Sequence, residues 1–105
     1  IADSLCGFDF TAGAYRDFFC ILEKLGENKE LTGVRKSLPV LITSGSVDPV
    51  GGKRACEKLY AQWKKCHMED VSLKLWENDR HEIINEIDNR EIYRYILSWL
   101  KARIR

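Results

Sequence analysis

Apolar side chains recur every three to four residues in three segments of the chain, which predicts three helices. The first is expected to begin after Thr11, whose hydroxyl suits an N-cap, and to stop at Gly26. The second is expected to run about four turns from Lys53. The third follows Asp88, which resembles a capping box together with Glu91 three residues later. The apolar stripes of these helices are formed by Tyr15, Phe18, Phe19, Leu22, Leu25, then Ala55, Cys56, Leu59, Tyr60, Trp63, Cys66, and then Ile92, Tyr93, Ile96, Leu97, Leu100 and Ile104.

Two short apolar segments between the helices predict strands. Residues 38–43 are apolar without alternation, as in a strand that is buried on both faces of a parallel sheet. Residues 71–76 alternate apolar and polar side chains, which indicates a strand nearer the edge of the sheet. Because a helix-length segment connects the two strands, we expect them to be parallel. Two parallel strands do not make a stable sheet, so the other strands are expected in an upstream segment or in another chain.

Length and composition place the chain among soluble globular proteins. Its 105 residues allow at most one domain, with 45% hydrophobic and 31% charged residues. No apolar run reaches the length of a membrane helix, and a net charge of +1 argues against nucleic acid as the main partner. The basic tail of Lys101, Arg103 and Arg105 is interpreted as a solvated helix end. The opening residues carry no initiator Met and no signal-peptide pattern, so the chain is expected to be a piece of a longer protein.

The four cysteines predict no disulfide framework and no metal site. Cys6, Cys20, Cys56 and Cys66 form no CxxC pair, and the apolar segments suffice for a core without disulfides. All four are therefore expected to be reduced thiols in a cytoplasmic protein. A zinc site at His81-Glu82 also fails, because Asn85 stands where the second histidine ligand would be needed.

Two potentially catalytic residues follow the two predicted strands. Asp48 lies just after the first strand and His81 just after the second. Parallel strands end on the same side of a sheet, about 4.8 Å apart, so these side chains are expected within hydrogen-bonding reach. Such a pair is the orienting half of a nucleophile–histidine–acid triad. The alternatives are a turn aspartate with a loop histidine, or Asp79 as the partner of His81. Separately, Glu82 and Asn85 are expected either to bond the histidine loop or to form a solvated helix start.

The residues around both positions resemble a known family. The matching segments are Leu38-Pro39-Val40-Leu41-Ile42, Gly45-Ser46-Val47-Asp48-Pro49-Val50-Gly51, Asp79-Arg80-His81-Glu82 and Asn85-Glu86. Together they resemble the C-terminal third of the α/β-hydrolase superfamily, and more narrowly the bacterial lysophospholipase and monoacylglycerol-lipase-like serine hydrolases of the serine aminopeptidase S33 type. The opening, Leu5 to Asp17, is similar to the segment in which that group returns from its cap to its core.

This resemblance implies a fold, a set of site residues and a reaction. The expected fold is a C-terminal fragment of an α/β-hydrolase, αβαβα, with residues 1–26 as the cap-to-core helix region and 38–105 carrying the acid and the histidine. Asp48 would be the triad acid, His81 the general base, and the substrate a lipid-like carboxylic ester such as a monoacylglycerol or lysophospholipid. No cofactor or metal is implied.

The same resemblance implies a catalytic serine that the 105 residues do not contain. The family's nucleophile lies in a Gly-x-Ser-x-Gly turn upstream of the acid, and the nearest match here, Gly45-Ser46-Val47, lacks the second glycine. The N-terminal part of the hydrolase is thus an expected partner, and the fragment alone is expected to be inactive.

Two questions stay open at this stage. The aromatic stripe of Tyr15, Phe18 and Phe19 predicts core packing, whereas Phe8, Phe10 or Phe18 could instead line an acyl pocket. The alternative to the enzyme is a non-catalytic, hydrolase-like interaction domain that completes its sheet by forming a homo-oligomer.

Overall fold

The computed structural model describes residues 7–26 and 33–104, which follow the predicted order of helices and strands. The elements are α1 (Ala12–Gly26), β1 (Val40–Gly45), α2 (Gly52–Lys65), β2 (Val71–Trp76), a 3₁₀ turn (Ile83–Asn85) and α3 (Asn89–Lys101). They form two compact units, Ile1–Gly33 and Val34–Arg105. No helix among the described residues is both long and apolar enough to span a membrane.

The first unit contains α1, whose predicted ends are confirmed. The hydroxyl of Thr11 accepts a hydrogen bond from the Ala14 amide at 3.1 Å, which satisfies one of the free N–H groups at the helix start. The helix ends at Gly26, as its sequence predicts.

The aromatic side chains of this unit contact one another instead of entering a core. Ring centroids are 5.6 Å apart for Phe8 and Phe10, 5.4 Å for Phe10 and Tyr15, and 5.6 Å for Phe18 and Phe19. All five rings remain about half exposed or more. The predicted core packing of Tyr15, Phe18 and Phe19 is therefore not found within the described residues of the first unit, where all three side chains are exposed.

The second unit is built on a parallel pair of strands, as predicted. Val40 pairs with Val71 and Gly45 pairs with Trp76 at the two ends of the ladder. Strand β1 begins two residues later than its apolar run predicted, because the Leu38 amide still closes the preceding turn by donating to the Arg35 carbonyl at 3.0 Å. It also continues to Gly45, which extends the ladder to the end of β2.

Helix α2 covers one face of this sheet and forms the core. Ile42 of β1, Val71 of β2 and Met68 of the connecting loop are buried. They pack against side chains of the amphipathic face of α2, namely Cys56, Tyr60 and Trp63. Cys20, Cys56 and Cys66 are free thiols, as expected, while Cys6 lies outside the described residues.

Helix α3 contacts the β2 side chains on the sheet face opposite to α2. The indole N–H of Trp99 donates to the Ser72 hydroxyl at 3.0 Å, and the rings of Trp76 and Tyr95 meet edge to face at 5.6 Å. Since neighbouring strand residues point to opposite faces, α2 and α3 enclose the strand pair as two outer layers. Ile92 is the most deeply buried side chain of α3, with no exposed surface.

Two predictions about the ends of α3 are corrected by the structure. Asp88 precedes the helix, but its carboxylate makes no capping bond, so the capping box with Glu91 is absent. Arg103 is not a solvated charge: its guanidinium donates to both carboxylate oxygens of Asp70 at 2.6 and 2.9 Å and stacks over Trp99. The planar guanidinium explains this difference, because it binds a carboxylate and an indole face at once.

Candidate active site

The loops that leave β1 and β2 cross in direct main-chain contact. The Ser46 amide donates to the Trp76 carbonyl at 2.8 Å, and the Val47 amide donates to the Asp79 carbonyl at 3.1 Å. Gly45 lies directly under this crossing, where a Cβ atom would overlap the carbonyl groups of Asp79 and Arg80. Glycine at this position thus allows the two strand ends to stay hydrogen-bonded after the regular ladder has ended.

Ser46 and Asn78 strengthen the same junction. The Ser46 hydroxyl accepts a hydrogen bond from the Asn78 amide at 3.0 Å, and Asn78 adopts a left-handed conformation with φ 66°. Asparagine is one of the few residues with a side chain that tolerate this conformation. Ser46 therefore joins the two loops, and among the described residues it makes no bond to His81.

The crossing brings Asp48 and His81 into contact, although 33 residues separate them. His81 Nδ1 lies 3.0 Å from Asp48 Oδ2 and 3.2 Å from Oδ1. The Asp48 side chain is only 9% exposed, whereas the imidazole is 62% exposed. The predicted hydrogen-bonding reach is thereby present, with the acid held inside and the histidine ring open to incoming groups.

Asp48 is held as a carboxylate by its surroundings. The Val50 main-chain amide donates to Asp48 Oδ1 at 2.8 Å. An aspartate side chain that accepts from the amide two residues later forms an Asx turn, and here the turn spans Pro49. This bond is the largest cause of a lowered pKa at Asp48, followed by the bond to His81, while the Ser44 hydroxyl donates to Oδ2 at 3.3 Å. A carboxylate that stays charged accepts the Nδ1 proton and stabilises an imidazolium.

The far side of His81 is formed by polar residues of its own loop and of the 3₁₀ turn. Glu86 Oε1 accepts the Arg80 amide at 3.1 Å, and the Arg80 guanidinium lies 3.8 Å away. The side-chain amide of Asn85 donates to Glu82 Oε2 at 2.7 Å, so these two side chains bond each other within the loop. Together with Pro49 and His81, these residues line an open cleft of about 400 Å³.

Asp79 does not compete with Asp48 for the histidine. Its side chain is buried beside Asp88, and its main chain contributes a carbonyl to the loop crossing. The open alternative in which Asp79 orients His81 is therefore not what the structure shows.

The remaining predicted site residues lie in the first unit. Phe8, Phe10 and Phe18 are 70%, 48% and 50% exposed there, and their role in an acyl pocket stays a prediction. Within residues 7–26 and 33–104, no group of three or more His, Cys, Asp and Glu side chains is arranged to hold a metal ion.

Several contacts of the site were not predicted from the sequence. The turn at Asp48-Pro49-Val50 has a recognisable signal, because an aspartate before proline favours a bond to the second following amide. Ser44 and Glu86 carry no such signal: the first lies within a strand, and the second bonds an amide six residues away.

Comparisons with known proteins agree with this architecture. Residues 1–88 match the family described as serine aminopeptidase, S33, a branch of the α/β-hydrolase superfamily. An uncharacterized abhydrolase domain-containing protein of Dictyostelium discoideum is 36% identical over 66 residues, which are 63% of this chain and 7% of that protein. The chain thus spans a small part of the length of this relative, and no solved structure matches it. The strand pair and its helices are compatible with a fragment of the α/β-hydrolase fold. Because the family match covers most of its residues, the chain belongs to the serine aminopeptidase S33 family of α/β-hydrolases.

Proposed function

We propose that this chain supplies the acid and the general base of a Ser-His-Asp triad in a serine hydrolase that cleaves carboxylic esters. The observation that carries the proposal is the contact of both Asp48 oxygens with His81 Nδ1 at 3.0 and 3.2 Å. Family membership supports a hydrolase in general. The ester class, with monoacylglycerols or lysophospholipids as examples, rests on the resemblance of the acid and histidine segments to lipases of that type.

The proposed mechanism divides the work between the two nitrogens of His81. Nδ1–H donates to Asp48, which leaves Nε2 without a proton and able to accept one. A serine hydroxyl transfers its proton to Nε2 while its oxygen attacks the ester carbonyl, and the imidazolium then protonates the departing alcohol. The serine would come from a Gly-x-Ser-x-Gly turn outside these 105 residues, since the chain contains none.

Matched asparagine variants of the intact enzyme test these roles. His81→Asn and Asp48→Asn are each expected to lower kcat for ester hydrolysis by about 10³- to 10⁴-fold, as losses of triad members do elsewhere. His67→Asn is the control for the histidine, because asparagine tolerates the left-handed backbone at this position, where φ is 61°. Asp17→Asn, at an exposed ion pair on α1, is the control for the acid.

A fluorophosphonate probe gives a second measurement that depends on an activated serine. Labelling of the intact enzyme should be slowed in both site variants and unchanged in both controls, with equal thermal unfolding in all four. Normal hydrolysis or normal labelling in His81→Asn would contradict the proposal. Hydrolysis of peptides but not of esters would leave the triad in place and overturn the substrate class.

A further inference from the structure

Two acidic side chains behind the histidine loop are unused by the proposed mechanism. Asp79 is 8% exposed, and its Oδ2 atom is buried without a hydrogen-bond partner among the described residues. Asp88 Oδ1 is likewise buried without a partner in the described part of the chain. The two carboxyl groups are adjacent, and the proximity of Asp88 is one cause of a raised pKa at Asp79. Each side chain thus has a buried oxygen that no donor among the described residues satisfies, next to a second carboxyl.

Both residues lie where they could control the position of His81. Asp79 precedes the histidine by two residues, and its carbonyl accepts the Val47 amide at the loop crossing. Asp88 stands at the start of α3, where its carbonyl accepts the amides of Glu91 at 2.8 Å and Ile92 at 3.4 Å. A bond between the two carboxyls would therefore tie the histidine loop to a helix that is anchored by a fully buried isoleucine.

A single proton would satisfy both orphaned oxygens. Two neighbouring carboxylates repel each other when both are ionised, whereas one protonated carboxyl donates to the other. Burial is the largest cause of a raised pKa at Asp79, followed by the charges of Asp88 and Glu86. Such a site fits a proton better than a metal ion, since the described residues offer no three-ligand group.

The other charged groups around the pair are already engaged or exposed. Glu86 is bonded to the Arg80 amide, with the Arg80 guanidinium 3.8 Å away. The loop after β1 contributes one acid, Asp48, which is bonded to His81. On β2, Lys74 lies over the rings of Trp76 and Tyr95, and in the first turn of α3 Arg90 and Glu91 are exposed. None of these contacts among the described residues gives Asp79 a cation.

We propose that Asp79 and Asp88 share one proton and form a hydrogen-bonded latch that positions the His81 loop on the start of α3. Both are positioning residues, and this inference rests on the proposed role of His81 as general base. When the pH rises, the shared proton is released to solvent, the two carboxylates repel, and the histidine loop loosens. In Asp88→Asn the amide donates to the Asp79 carboxylate at every pH, so the latch no longer depends on a proton.

The first arm of the test measures stability and does not require catalysis. An acid whose pKa is raised by folding stabilises the protein fully below its unfolded pKa, and this contribution is lost as the pH rises through the folded pKa. Between these two values the unfolding equilibrium constant of the wild type is expected to rise by up to about tenfold per pH unit relative to Asp88→Asn. Asp79→Asn should behave like Asp88→Asn, and Asp17→Asn like the wild type. A constant stability difference between wild type and Asp88→Asn from pH 4 to 8 would overturn the shared proton.

The second arm asks whether the latch reaches the histidine. The NMR titration of the His81 ring protons and the pH profile of kcat/KM on the intact enzyme should both change in Asp88→Asn, with less loss of activity at the alkaline side. A variant that removes the pH dependence of stability but leaves the His81 signals and the pH profile unchanged would overturn the positioning role. If His81→Asn retains full activity while the stability arm holds, the proposed function fails and the shared proton stands.

Discussion

Replacing Gly45 by alanine tests whether the crossing of the two loops sets the distance between acid and base. A Cβ at position 45 would overlap the carbonyl groups of Asp79 and Arg80, which are main-chain atoms and cannot rotate away as a flexible side chain would. The Ser46 and Val47 amides hold the loops together at 2.8 and 3.1 Å, so the overlap can be relieved only by separating two bonded main chains.

The magnitude follows from that separation. Overpacking a tight site costs about 1–3 kcal/mol of stability, and here the obstacle is backbone, so the upper end of this range is expected. A displacement on the order of 1 Å would take the His81–Asp48 contact beyond hydrogen-bonding distance and lower kcat/KM by about 100-fold.

The assay compares ester hydrolysis and thermal unfolding of the intact enzyme with and without the substitution. Gly33→Ala is the control, because a Cβ there meets no atom within 4 Å and the backbone is not left-handed. A Gly45→Ala enzyme with wild-type kcat/KM and an unchanged melting temperature would refute the reasoning, since the two loops would then not need to approach so closely.

Two further predictions concern stability. Ile92→Ala is expected to lower the free energy of unfolding by about 2–5 kcal/mol, because Ile92 has no exposed surface. Ile87→Ala is the control, and at this fully exposed side chain it should change the free energy of unfolding by less than about 0.5 kcal/mol. Equal denaturant midpoints for the two variants would contradict this prediction. Hydrogen bonds from Arg103 are the largest cause of a lowered pKa at Asp70, so this pair stabilises the fold above the ordinary pKa near 3.8 and its contribution is lost as the pH falls. Arg103→Leu should therefore flatten the acid limb of the stability curve, which Lys101→Leu should leave unchanged; coincident acid limbs for wild type and Arg103→Leu would refute the role of the pair.

The acid–histidine contact could be predicted because it depends on general geometry. Asp48 and His81 each follow a recognisable strand, and parallel strands end on the same side of the sheet at a fixed spacing. The order of apolar segments alone was enough to place both residues at that edge. Their separation of 33 residues did not matter, because α2 brings the chain back from the end of β1 to the start of β2, so both strands end at the same edge of the sheet.

Other contacts could not be predicted, since they depend on the mutual position of side chains on different elements. Asp70 and Arg103 are also 33 residues apart, but one lies before β2 and the other after α3, and no strand-end rule relates them. Asp88 has the sequence position of a helix cap, but its side chain makes no capping bond and lies beside the buried carboxyl of Asp79. A local pattern identified the position in each case and missed the side chain that lies beside it.

The main chain does most of the positioning at this site, and this explains how a unit with one strand pair holds Asp48 and His81 at hydrogen-bonding distance. The Asp48 carboxylate is fixed by the Val50 amide, and the loop that carries it is fixed by amides of Ser46 and Val47 on carbonyls of the β2 end. These bonds need only the right backbone path, which the ladder from Val40 to Gly45 provides. Side chains support this arrangement, so the distance between Asp48 and His81 is set by the sheet and by the crossing of the two loops that leave it.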